Sequence, residues 1–135
     1  MNLPIRKLKG MSAKLEVRLE VRGINDSDQL LNASRTSVAR QDLARAVGVE
    51  ASVILGLANR ADLARVKGIG GVFSDLLEQA GVDSVKELAN RRPDHLLAKL
   101  AEVNAQKKLA GRAPTLKAVE SWVAQAKQLP KTLEY

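Results

Sequence analysis

The chain predicts an all-α fold in which two tandem helical units pack around a shared core, and three observations lead there. Lys67-Gly68-Ile69-Gly70-Gly71 reads as a glycine-pinched corner between helices, followed ten residues after Gly71 by Gly81-Val82. Sliding the sequence on itself by 58 positions lays an earlier, degraded copy over that corner. Around both, apolar residues recur at helical spacing.

In the earlier copy Lys7, Leu8, Lys9, Gly10 and Met11 fall on Arg65, Val66, Lys67, Gly68 and Ile69. The match continues through Leu15 and Phe73, Leu19 and Leu77, Gly23 and Gly81, Ile24 and Val82, Leu30 and Leu88, and Asn32 and Asn90. Ser12 stands where the second copy has Gly70. Leu15, Val17, Leu19 and Val21 alternate with Glu16, Arg18, Glu20 and Arg22 as a half-buried strand would. The repeat argues for a helix instead, with Val17 and Val21 in the places of Asp75 and Gln79. On a helix the two valines form a second apolar face, which is expected to be covered by the other half of the chain or by a second subunit.

Asp26-Ser27-Asp28-Gln29 offers a helix start. Residues 36 to 58 then read as a linking helical pair with Val38, Leu43, Val47, Val53, Ile54 and Leu57 as apolar positions. Ala44, Gly48 and Ile54 also have the spacing of a helix-turn-helix reader. Glu50 to Leu57, however, offers Glu50 and Ser52 among apolar residues and no Arg, Lys, Asn or Gln for base edges. In the second copy Val72, Phe73, Leu76, Leu77 and Ala80 form a helical face that Gly81 is placed to end. Ser84-Val85-Lys86-Glu87 is a capping-box pattern. Pro93 suits the first turn of a helix carrying Leu96, Leu97, Leu100 and Val103. Thr115 is placed to cap a last helix carrying Leu116, Val119, Trp122, Val123 and Ala126, with Pro130 just beyond its end. The expected division is 1–58 for the degenerate unit with its linking helices and 59–135 for the second unit with the C-terminal helix.

Composition narrows the partner. The net charge of +7 favours polyanions, and the excess is shared, with nine basic against six acidic residues up to Ala58 and thirteen against nine after it. The absence of cysteine excludes disulfide and thiolate chemistry and suits a cytoplasmic protein, while His95 cannot build a metal site by itself. No apolar run is long enough for a signal peptide or a membrane span, so a soluble chain without membrane contact is expected. Phe73, Trp122 and Tyr135 are the whole aromatic complement, too few for the stacking platforms of single-strand readers. Duplex is the better expectation.

The string from Ala61-Asp62-Leu63 through Lys67-Gly68-Ile69-Gly70 and Leu76-Leu77 to Glu87-Leu88-Ala89 resembles the helix-hairpin-helix unit of DNA repair and recombination proteins. With Ala80-Gly81-Val82, Val103-Asn104, Ser121-Trp122 and Ala126-Lys127, the span from about Arg40 to Tyr135 resembles a family of uncharacterised bacterial proteins defined by this hairpin and a Trp-containing final helix. The hairpin section is also similar to the amino-terminal helical domain of RecA-like recombinases and to DNA-binding modules of ligases and glycosylases. Those relatives imply sequence-independent contact with the duplex backbone, while the uncharacterised family label implies fold and not activity.

The expected interface follows from helix electrostatics. The N–H groups of Gly70, Gly71 and Val72 would bind a phosphate oxygen, with Gly68 and Ile69 shaping the corner, Arg65 and Lys67 adding charge and Ser74 a hydrogen bond. Lys9, Gly10, Ser12 and Lys14, with Arg18, would make a second such contact. Against this stands the plainer reading that Gly68-Ile69-Gly70 only brings two helices close, and that the first copy is kept for packing. Arg91-Arg92 and the Lys107 to Arg112 loop are read mainly as solvated surface, His95 as a surface or capping residue, and Trp122 as core. The carboxylates lack the paired spacing of a metal or acid-base site, no nucleophile has a base, and phosphate-loop and dinucleotide signatures are missing. The expectation is therefore a duplex-DNA-binding module that is no enzyme and needs no cofactor. Its alternative is a protein-interaction or homo-oligomerisation module using the Val17/Val21 face.

Overall fold

A computed structural model describes residues 2–135. The described chain is helical: α1 (Ala13–Val21), α2 (Ser27–Ala33), α3 (Ser37–Val47), α4 (Ala51–Leu63), α5 (Gly71–Gln79), α6 (Val85–Ala89), α7 (Pro93–Lys107) and α8 (Leu116–Gln128). A single 3-10 turn, Ile5–Lys7, precedes α1. The alternating stretch is helix, as the repeat required, because Leu15 and Leu19, one turn apart, are the residues that bury.

Helix starts follow the side chains that cap them. Asp26 accepts from Gln29 N at 2.8 Å, and the Gln29 side chain accepts in turn from Asn25 N at 2.7 Å. Ser84 accepts from Glu87 N and Thr115 from Ala118 N, both at 3.1 Å. Pro93 opens α7 at its first turn. Each such cap is worth about 1 kcal/mol.

The apolar residues gather in two clusters instead of the one shared core expected. One takes Ile5, Leu8, Leu15, Leu19, Leu30, Leu43, Val47, Ile54, Leu57 and Ala61. The other takes Leu63, Val66, Ile69, Leu76, Leu77, Leu88, Leu100 and Trp122. Helix α4 is the beam between them, contributing Ala61 to one and Leu63 to the other, so residue 58 lies inside a continuous helix. A tail after α8 crosses back: Leu133 buries in the first cluster, Arg40 donates to the Glu134 carbonyl at 2.8 Å, and Tyr135 donates to Asn59 Oδ1 at 2.8 Å.

Four apolar positions assigned to the helix faces are exposed instead: Val38, Val53, Val72 and Leu116. Val17 and Val21 are exposed too, at 59% and 83%, so the other half of the chain does not cover them. Helix α4 buries Ile54, Leu57, Ala58, Ala61 and Leu63, and its start leaves Glu50, Ser52 and Val53 exposed, with no Arg, Lys, Asn or Gln among them to contact base edges.

Candidate nucleic-acid interface

The second corner is built from two turns in series. Val66 N donates to Leu63 O and Ile69 N to Val66 O, both at 3.1 Å. Gly68 adopts φ +100°, a left-handed conformation that strains any L side chain, and a Cβ there would stand 3.0 Å from Trp122 Nε1. Ile69 is fully buried, anchoring the corner with about 1.5–3 kcal/mol of burial. Gly70 is the extended residue before α5 and has no side chain to cap it. The first-turn N–H groups of Gly71 and Val72 therefore lack an acceptor from their own helix end.

The first corner repeats this geometry 58 positions earlier. Leu8 N donates to Ile5 O at 3.1 Å, Met11 N to Leu8 O at 3.2 Å, and Gly10 has φ +93°. Gly23 and Gly81, again 58 apart, have φ +80° and +91°. The difference lies at the helix start, where Ser12 Oγ accepts from Leu15 N at 3.1 Å. Helix α1 caps itself.

The two corners meet. An ideal Cβ on Gly71 would lie 2.1 Å from the Lys7 carbonyl oxygen, so only glycine allows this approach. Beside the junction lies a groove of about 400 Å³ where Arg6, Lys7 and Lys9 face the first turn of α5 at Gly71 and Val72, with Leu3 and Pro4 completing the wall. All three cations are exposed. A helix N-terminus carries partial positive charge, so the groove sums three cations and a dipole of the same sign, an arrangement suited to phosphate.

Several expected contributors are not there. Arg65 is turned away and its side chain is only 14% exposed: Nε faces Asp62 Oδ1 at 3.1 Å, and the other nitrogens donate to Thr132 Oγ1 at 2.8 Å and Pro130 O at 2.7 Å. It ties the tail to α4 and has no reach to the corner. Ser74 is buried and donates to Gly71 O at 3.1 Å. The Lys67 peptide is clamped by Gln125, which accepts from its N–H at 2.9 Å and donates to its carbonyl at 3.0 Å, leaving only the exposed side chain. Gly68 and Ile69 act through backbone shape, Gly70 stays open, and Ser12 is occupied as a cap. Gly10 shapes its own corner and Lys14 is an exposed cation on α1. Lys9, Gly71 and Val72 are the expected residues that converge on the groove.

Sequence reasoning missed Arg6 and Lys7. The signal lies in the basic run Arg6-Lys7-Leu8-Lys9; Lys7 aligns with Arg65, and Arg65 is the member of that pair that turns inward.

The family model described as Domain of unknown function (DUF4332) matches residues 9–129. The chain belongs to this family. The match begins within the first corner, at Lys9, well before the span from Arg40 over which the resemblance extends, so it takes in Gly10 and the whole second corner while Arg6 and Lys7 precede it. No curated protein and no solved structure matches the chain.

A more enclosed cavity of about 270 Å³ lies beneath the tail, floored by Asp62, Arg65 and Tyr135. Its polar floor is already spent internally, since Asp62 Oδ2 accepts from Val85 N at 2.8 Å and Oδ1 faces Arg65. Burial raises the Asp62 carboxyl above its ordinary value despite that hydrogen bond and the arginine, and burial pushes the Tyr135 phenol up to about 12. Among the described residues no three of His, Cys, Asp or Glu stand close enough to hold a metal ion, and no helix is long and apolar enough to cross a membrane.

Proposed function

We propose that this chain is a pair of tandem helix-hairpin-helix units, similar to the amino-terminal helical domain of RecA-like recombinases, that binds duplex DNA in the cytoplasm through backbone phosphates without catalysing a reaction. The observation that carries the reading is the groove at the junction of the corners, where Arg6, Lys7 and Lys9 surround the uncapped first turn of α5. A phosphate seated there would accept from Gly71 and Val72 N–H and be neutralised by the three side chains. Such contacts fix register on the backbone and carry no base identity. The net charge of +7 supports the same partner by raising the encounter rate.

Fluorescence anisotropy on two duplexes of unrelated sequence tests the proposal. Equal affinities are expected, with a log-log salt slope of about −2 to −4 for two to four neutralised phosphates. Lys7→Glu with Lys9→Glu should weaken binding at least about tenfold on both duplexes alike. No retention of duplex at low salt, or an unchanged affinity in the double variant, overturns the reading.

A further inference from the structure

We propose a second interaction site, independent of the phosphate groove: the face between α1 and the end of α3 docks an amphipathic helix of another protein that carries acidic residues along its flank. Val17 and Val21, one helical turn apart, are 59% and 83% exposed. They border a groove of about 440 Å³ with the exposed Ala46 as a further apolar residue and Arg18, Arg22 and Arg45 around it. Arg18 Nη1 donates to the Val47 carbonyl at 2.9 Å, which holds that guanidinium at the groove edge.

The chain supplies its own control. A shift of 58 carries α1 onto α5 end to end, Val17 onto Asp75 and Val21 onto Gln79. On α5 both positions are polar and both are partnered. Asp75 lies under α4, paired with Arg60 at 3.0 Å, and Gln79 accepts from Lys107 Nζ at 2.6 Å. What covers the Asp75 side of α5 is a helix. On α1 the equivalent positions are valines, open to solvent at the edge of a groove.

Charge decides the occupant. Asp42 pairs with Arg45 nearby, which still leaves Arg18 and Arg22 flanking the valines. Glu16 and Glu20 lie on the other flank of α1, so a second copy docking by a two-fold with its α1 antiparallel would set the same arginines against one another, and self-association in that arrangement is disfavoured. A duplex backbone satisfies the arginines but offers two valines nothing apolar. An acidic amphipathic helix satisfies both.

The test uses the full chain with valine methyls carrying ¹³C, titrated with a synthetic helix-forming peptide about 18 residues long with a Leu/Ala face and Glu flanks. The comparison peptide replaces every Glu by Lys. Saturable shifts at the Val17 and Val21 methyls are expected with the Glu peptide only. Val17→Asp with Val21→Asp, both at exposed positions, should keep the circular dichroism and thermal midpoint while weakening that binding at least about tenfold, and Arg18→Glu with Arg22→Glu should do the same. No shifts, equal response to both peptides, or shifts at these methyls with duplex DNA instead would overturn the assignment. So would a dimer in light scattering that Val17→Asp with Val21→Asp dissociates. The phosphate-groove variants Lys7→Glu and Lys9→Glu should leave the peptide titration unchanged.

Discussion

The two glycine corners share their hydrogen bonds and their left-handed glycine, yet they end differently. At the first, Ser12 caps α1 and Ala13 opens the helix. At the second, Gly70 leaves α5 uncapped and Gly71 opens it against the Lys7 carbonyl. A corner whose own serine takes up one of its first-turn amides, that of Leu15, is closer to a finished structural joint. One that leaves them open, and has three cations of the other corner brought to its side, is equipped to take an anion. The same backbone therefore serves two ends, and the residues at two positions decide which.

The largest effect expected of the comparison concerns its charged members. Lys7 and Arg65 occupy equivalent places, but Lys7 is exposed while Arg65 is enclosed against Asp62 and the tail. Arg65→Ala should cost about 3–5 kcal/mol in denaturant unfolding, because it strands a buried carboxylate. Lys7→Ala should stay within about 0.5 kcal/mol. The Arg65→Ala deficit has a predictable pH dependence. The Asp62 carboxyl already sits above its ordinary value of 3.8 in the folded chain, and loss of the arginine moves it further in that direction. A folded state that holds its proton more tightly than the unfolded chain loses stability as pH rises through that window, so the deficit should be greatest at neutral pH and shrink as pH falls toward the ordinary aspartate range. A deficit that grew on acidification would show that Asp62 is not its source.

Next in size is the contact between the corners. Gly71→Ala should destabilise by about 1–3 kcal/mol, since the added methyl has no room beside the Lys7 carbonyl and one corner must move. Gly70→Ala is the control: its Cβ meets nothing within 4 Å and its φ of −100° suits alanine. Comparable losses in urea unfolding of the two variants would mean that the glycines serve the turn alone and not the junction.

Much of this was legible in the sequence, and the failures have physical causes. Helix starts at Asp26, Ser84 and Thr115 were readable because capping is local chemistry between residues three apart, and the one at Pro93 because its fixed φ suits a first turn. The helical state of Leu15 to Val21 was readable only through the shift of 58, since a short alternating run satisfies both periods. Where a cation points is not local. Arg65 and Lys67 flank the glycines in sequence, but Arg65 is claimed by Thr132 and Pro130 from the far end of the chain. Arg6 and Lys7 enter only because the corners pack together. The exposure of Val17 and Val21 was unreadable for the same reason: an apolar face states that it wants a cover and not whether this chain provides one.

The smallest effect is the most direct test of what an uncapped helix is for. Gly70→Ser transfers the serine of the first corner to the second, at a position whose φ of −100° and ψ of −158° are extended and whose Cβ direction is empty. Serine there would accept from a first-turn N–H, as Ser12 does from Leu15, and should stabilise the fold by about 0.5–1 kcal/mol, read as a raised thermal midpoint. By the shift of 58 that N–H is Phe73's, next to the Gly71 and Val72 amides; if those amides serve a phosphate, the serine at their edge should weaken duplex binding by a few-fold while leaving the cations untouched. A gain in stability with unaltered affinity would assign the binding to Arg6, Lys7 and Lys9 alone and return α5 to the role of scaffold.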